Sequence, residues 1–343
     1  MMTGKLFVQS YNEAVLWDLD RHTEDVLPNK PGAPGPYPAN QAVVLLPLTP
    51  ANNYKETVLF CGGLEGITKE QWGDLKGPKI PISQRANSRA CQAIEPVAQR
   101  QWTSPTTTPE GRTMAIFVIL PDGKIWWGGG GRTGTAGYVP PGHVGAPIHY
   151  SLADHPGLGI WTLDPTTYKW QASSAIKVPR LYHSSATLLA DGSVLVAGSN
   201  PNPDRTPTTI RYGTEYTVEI WYPDWFDAPR PSRDQLPFNY QYAAGAFSID
   251  LRQALGAAQQ NTVITSATVR LIRTGFSTHA VQWGQRSIEL RTTLQGEKLQ
   301  VDNFPANRNL FAPGPALAFL VINGVPSQGR FVHVGPRTLP AAR

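Results

Sequence analysis

Tyr182 and His183 are adjacent in Leu181-Tyr182-His183. His279 stands far downstream in Gly275-Phe276-Ser277-Thr278-His279-Ala280-Val281. A phenol oxygen and two imidazole nitrogens are ligand types that suit tetragonal Cu(II). Each residue also has a plainer reading. Neighbouring side chains on a regular strand point to opposite faces, so Tyr182 and His183 can share one ion only where the backbone bends, at the mouth of a strand. Val178-Pro179-Arg180 just upstream offers such an irregular approach. Taken without context, Tyr182 is a packed aromatic and His183 a surface or hydrogen-bonded histidine. The chain has seven histidines. His143, His149 and His155 lie in an Ala/Pro/Gly-rich stretch and read as loop residues. Cys61 and Cys91 could form one disulfide in an oxidising compartment or remain two buried thiols, and spacing alone does not choose.

The elements that would hold these groups are β-strands. Gly and Pro number 32 each, aromatics make up 10 %, and short apolar runs alternate with turn signals. That pattern belongs to an all-β chain. Phe117–Leu120 and Ile125–Gly128 flank Asp122-Gly123, and Ala186–Leu189 and Val194–Gly198 flank Asp191-Gly192. Asp-Gly is a favoured two-residue hairpin turn because glycine accepts positive φ. Repeats of this kind indicate a kelch-like β-propeller of four-stranded blades. About four blade equivalents are visible, over 5–27, 42–100, 112–170 and 182–223, so the propeller is expected to be incomplete. Val15–Leu19, Ile160–Pro165 and Ile220–Pro223 read as outer strands. Open lateral blade faces are an association hazard, so self-association is expected. The propeller portion is placed at 1–228. Beyond Pro229-Arg230-Pro231, an immunoglobulin-like β-sandwich is expected over 229–338, with strands in Val263–Arg273, Gln285–Thr293, Lys298–Val301 and Ala316–Ile322.

Composition excludes several partners. The net charge of +5 comes from scattered Lys and Arg, whereas nucleic-acid binding wants clustered cations. No apolar run approaches the ~20 residues that span a bilayer. The first residues, MMTGKLFVQSYNEAV, lack the pattern of a signal peptide.

The text around the three candidate ligands is specific. The run VPRLYHSSATLLADGSVLVAGSNPNP (Val178–Pro203) and GFSTHAVQWGQRSIEL (Gly275–Leu290) resemble the copper radical oxidases, the glyoxal oxidases more than galactose oxidase. The resemblance implies one copper ion, with Tyr182 as axial ligand and proton acceptor and His183 and His279 as equatorial ligands. It implies oxidation of small aldehydes or primary alcohols by O2, with release of hydrogen peroxide, and an extracellular location. It assigns Tyr138, in Gly134-Thr135-Ala136-Gly137-Tyr138, to the vicinity of the site and not to the ligand set. It also matches Cys61 and Cys91 to two family cysteines of structural segments, which favours their pairing. The resemblance runs from Gly4 to about Pro336 and corresponds to the C-terminal half to three-fifths of a complete oxidase. The family's radical tyrosine and the cysteine joined to it by a thioether find no counterpart here. The expectation is therefore a truncated form, inactive alone, that keeps copper ligands without the Tyr–Cys radical cofactor. The alternative is a non-catalytic kelch-like binding module.

Overall fold

The computed structural model describes residues 1–35, 39–72, 77–146 and 149–336. The sandwich end expected at 338 lies outside the described residues. Strands dominate; the α-helices among the described residues are one turn each, Lys69–Trp72 and Leu251–Leu255.

Four antiparallel sheets follow one another along the chain. The first holds Leu6–Ser10, Glu13–Asp18 and Thr23–Leu27. The second holds Ala42–Leu45, Val58–Cys61, Cys91–Ile94 and Trp102–Thr103. The third holds Ile116–Ile119, Ile125–Gly128, Ile160–Asp164 and Lys169–Ser173. The fourth holds Ser185–Leu188, Val194–Ala197 and Val218–Trp221. Every residue of Ile116–Ile119 and Ile125–Gly128 is buried, Trp126 and Trp127 included. Continuous apolar runs are what a strand covered on both faces requires, and a blade between two blades is covered on both. Both Asp-Gly hairpins form, but through three-residue loops and not the expected two-residue turn: Leu120 N donates to Lys124 O and Leu189 N to Ser193 O, both at 2.9 Å, and only Gly123 and Gly192 in these loops take positive φ. Asp122 Oδ1 accepts from Lys124 N at 3.1 Å and Asp191 Oδ1 from Ser193 N at 2.9 Å.

Two strand assignments need correction. All of the Val15–Leu19 run but Leu19 lies in Glu13–Asp18, the central strand of its sheet. Ile160–Asp164 is the third strand of four, with Lys169–Ser173 outside it. The repeated tryptophan thus marks different positions in different blades, because the outermost strands are more polar than the sequence pattern suggested. Only Val218–Trp221 lies at its sheet's edge. His155, expected in a loop, lies in the strand Ser151–Pro156, which pairs with Gly131–Tyr138 as a hairpin outside the four sheets.

The rest of the chain forms a sandwich. One sheet runs in the order Asn239–Tyr240, Arg330–Val334, Gly314–Ile322, Ala267–Arg273, Arg286–Glu289, with Val325–Pro326 also on Gly314–Ile322. The other holds Phe247–Asp250, Lys298–Val301 and Thr292–Gln295. The run Gln285–Thr293 is two strands, not one: it leaves the larger sheet at Glu289 and enters the smaller at Thr292. Ile288 and Leu290 stay in the shared core across this switch. Leu48 seals the junction with the propeller, its N–H donating to Ser287 O at 3.0 Å and its carbonyl accepting from Glu289 N at 2.8 Å.

Candidate copper centre

Tyr182 and His183 sit in a turn that immediately precedes the strand Ser185–Leu188. His183 has φ 139°, and its N–H and that of Ser184 both donate to Leu181 O, at 2.9 and 3.2 Å. This bend overrides strand alternation, so the two neighbouring rings stack, with centroids 3.7 Å apart and planes at 29°. Gly198 makes room for it. A Cβ there would stand 2.7 Å from His183 O, and its φ of +73° is one that glycine accepts.

His279 arrives from the sandwich. The strands Phe276–Thr278 and Val281–Trp283 pair as a hairpin whose two-residue tip is His279-Ala280, at φ 53° and 62°. Two positive φ values are the pattern of a type I′ turn, which usually takes Asn-Gly. A histidine there is strained for a non-glycine residue, and such outliers cluster at functional sites. Asn40 Nδ2 donates to His279 O at 2.8 Å. The tip places the His279 ring 5.7 Å, centroid to centroid, from Tyr182. Tyr138 lies 6.2 Å from Tyr182 and 6.5 Å from His183. Tyr182 is buried, whereas both imidazoles and Tyr138 reach solvent.

Hydrogen bonding orients the imidazoles. His183 Nδ1 lies 2.7 Å from Asn200 O. A carbonyl only accepts, so Nδ1 carries the proton and, in the neutral ring, Nε2 carries the lone pair. Metal-binding histidines are held in this way through the second nitrogen. Thr278 Oγ1 stands 3.0 Å from His279 Nδ1 and can either give or accept a proton. Asn200 is fixed in turn, its Oδ1 accepting from Asn202 Nδ2 at 2.9 Å and Thr214 Oγ1 at 3.1 Å. Its loop is anchored by Tyr212, whose hydroxyl donates to Asp154 at 2.5 Å. Burial and that bond push the Tyr212 phenol up to about 12. Burial pushes Asp154 up as well, yet Tyr212, the His155 N–H and Arg211 hold it below its ordinary value.

Among the described residues no group of three or more His, Cys, Asp or Glu gathers around one point. A metal at this place would need the phenol. With it, the donor set is two imidazoles whose rings lie 3.7 and 5.7 Å from that of Tyr182, centroid to centroid, and a phenol and two imidazoles are donors that fit copper. The other candidate histidines have local partners: His143 Nδ1 accepts from Gly145 N at 3.1 Å, His155 Nδ1 lies 3.2 Å from Thr133 Oγ1, and His149 packs edge-on to Tyr212. Cys61 and Cys91 face each other across adjacent strands of the second sheet and form a disulfide. Both sulfurs are thereby engaged, and neither can carry a thioether to a tyrosine. Asn40, Asn200 and Gln282 also serve the site, and nothing in the sequence marks them as supports of the two histidines, since an amide takes its role only from what it meets in the fold.

A family profile described as glyoxal oxidase N-terminus matches residues 1–225, and one described as galactose oxidase-like, Early set domain matches residues 230–334. The chain belongs to the glyoxal oxidase family. Aldehyde oxidase GLOX1 of Arabidopsis thaliana is 29 % identical over 96 % of this chain and 53 % of its own length. Aldehyde oxidase GLOX of Vitis pseudoreticulata is 28 % identical over 97 % of this chain and 60 % of its own. Galactose oxidase of Gibberella zeae is 26 % identical over 65 % of this chain. The chain therefore spans little more than half the length of the two aldehyde oxidases. Among solved structures, a fungal alcohol oxidase of the AA5 family, in complex with copper, superposes with TM-score 0.65 at 18 % identity, over 98 % of this chain and 74 % of that one. At that identity the likeness concerns the fold: a propeller followed by a galactose-oxidase-like sandwich. No helix among the described residues is long and apolar enough to cross a membrane.

Proposed function

We propose that this chain is the copper-ligand-bearing portion of a copper radical oxidase, divided into a propeller part, 1–228, and a sandwich part, 229–338. The observation that carries the reading is the convergence of Tyr182, His183 and His279, ring to ring, from two separate folding units. His183, His279 and Tyr182 would together hold one copper ion. When bound, copper would supply a one-electron acceptor and a Lewis acid. The chain's own residues would supply ligation, orientation and proton transfer, and the second electron of the oxidation would need the family's radical cofactor. The Tyr182 oxygen would take the hydroxyl proton of a primary alcohol or aldehyde hydrate, and Asn200 would hold the His183 ring in its metal-facing tautomer. The half-exposed Tyr138 would form an aromatic wall beside the substrate. The family reading makes O2 the co-substrate, hydrogen peroxide a product and the extracellular space the place of action.

Both cysteines are joined to each other, which supports the further proposal that this chain alone lacks the Tyr–Cys radical cofactor and does not turn over. Trp17 and Val26 on the first sheet and Val218 and Ile220 on the fourth are exposed, which supports self-association through these faces. The test of the copper reading is metal loading of the purified chain. An axial Cu(II) resonance, lost in His183→Ala and His279→Ala, is expected. No uptake at micromolar copper would sink the reading and favour a non-catalytic binding module.

A further inference from the structure

We infer that Gln285 is a positioning residue whose side-chain amide sets the depth at which the sandwich hairpin enters the propeller, and so delivers His279 to Tyr182. Its functional meaning rests on the copper reading above; its geometry does not. The strand Ile116–Ile119 pairs on one side with Ile125–Gly128, and the bond from Leu120 N to Lys124 O at 2.9 Å continues that pairing. Phe117 and Ile119 therefore turn their peptide groups to the opposite, open edge, because peptide groups alternate along a strand. That edge is buried, and buried peptide groups need partners.

Gln285, itself buried, meets both. Its Oε1 accepts from Ile119 N at 2.7 Å and its Nε2 donates to Phe117 O at 3.2 Å. A single amide bonding reciprocally to residues two apart does what a residue of a neighbouring strand would do. The consequence is a register. A slip of one residue along Ile116–Ile119 presents groups that face the other way, and the next equivalent pair lies two residues off, roughly 6.8 Å. That exceeds the 5.7 Å between the Tyr182 and His279 rings. The hairpin thus has one depth at which His279 meets Tyr182 and no nearby alternative.

The lock is transmitted to the tip through a tightly closed base. At Gly275 (φ +72°) a Cβ would stand 2.3 Å from Trp283 O and 2.7 Å from Gln285 N, so the two legs are pressed together beside Gln285. Gln282, bonded to Ala186 O of the fourth sheet, and Asn40, which precedes the second sheet and is bonded to His279 O, also tie the hairpin to the propeller.

The experiment compares Gln285→Leu, His279→Ala and their double variant by Cu(II) titration. It also compares the metal-free proteins by NMR contacts among selectively labelled Tyr and His rings. Gln285→Leu is expected to weaken copper binding 10–100-fold, as loss of a ligand-orienting partner does. It is also expected to lose the Tyr182–His279 contact while keeping the Tyr182–His183 contact. In the His279→Ala background the same change is expected to add nothing, because it acts through His279. Unchanged affinity with only a lowered Tm would overturn the inference, as would an additive loss in the double variant. Gln285→Glu keeps the acceptor for Ile119 N and loses the donor to Phe117 O; it is expected to fall between the two and stands in if Gln285→Leu does not fold. Should the wild type take up no copper, the copper reading fails while the ring contacts still decide the role of Gln285.

Discussion

Arg180 precedes the candidate ligands by two residues, and its replacement by methionine should damage fold and site together. Its side chain is wholly buried. It donates to Glu219 Oε2 from Nε at 3.2 Å and Nη2 at 2.8 Å, and from Nη1 to Gly198 O at 2.6 Å and Thr217 O at 3.0 Å. Its own carbonyl accepts from Gly130 N at 2.7 Å, tying the segment to the stretch that leaves the third sheet after Gly128. Breaking a buried ion pair costs about 3–5 kcal/mol, because the remaining charge is left uncompensated. Glu219 retains 19 % side-chain exposure and a bond from Lys177 N at 2.6 Å, so the lower part of that range applies, about 3 kcal/mol. Arg180→Met/Glu219→Leu replaces both charges with apolar groups, and the two effects should fall short of additivity by about 1–3 kcal/mol. Urea denaturation followed by tryptophan fluorescence measures this, with Trp221 two residues from Glu219 as a nearby probe. A cost below about 1 kcal/mol for Arg180→Met, or strict additivity in the cycle, would refute the view that this guanidinium holds the turn.

Two other predictions concern the second sheet and its surroundings. Removing the Cys61–Cys91 bridge by Cys61→Ser/Cys91→Ser opens a 30-residue loop and should cost about 3.5 kcal/mol on the chain-entropy account; an unchanged denaturation midpoint would contradict that account. Lys30 is buried, donates to Pro31 O at 3.1 Å and to Ala33 O, and burial pushes its amine down to about 8 from 10.5. Between those values the unfolded chain holds the extra proton, so stability should rise with pH across that window, by up to about 3 kcal/mol. Lys30→Met should flatten the rise, and a wild-type curve already flat from pH 8 to 10 would contradict the placement of this amine.

Much of the fold was legible because blades repeat a short-range pattern. Asp122-Gly123 and Asp191-Gly192 declare hairpins on backbone grounds alone, and the apolar runs beside them declare strands covered on both faces. Position within a blade was not legible. Val15–Leu19 and Ile160–Pro165 carry the same tryptophan motif as an edge strand, and only pairing partners distinguish centre from edge. The split of Gln285–Thr293 between two sheets was hidden for a similar reason, since an apolar run reads alike whichever sheet it joins.

What the sequence by itself determined about this protein is its repertoire: an all-β chain, a phenol next to an imidazole where the backbone must bend for both to share one ion, and a second imidazole far downstream. Those follow from local rules of turn chemistry and side-chain alternation. Tertiary structure alone decided that Tyr182, His183 and His279 meet, and which amides hold them there. Gln285 finds Phe117 and Ile119 across more than 160 residues of intervening chain. No short-range pattern encodes such a bond, because it exists only once an open strand edge and a hairpin from another unit have been brought together.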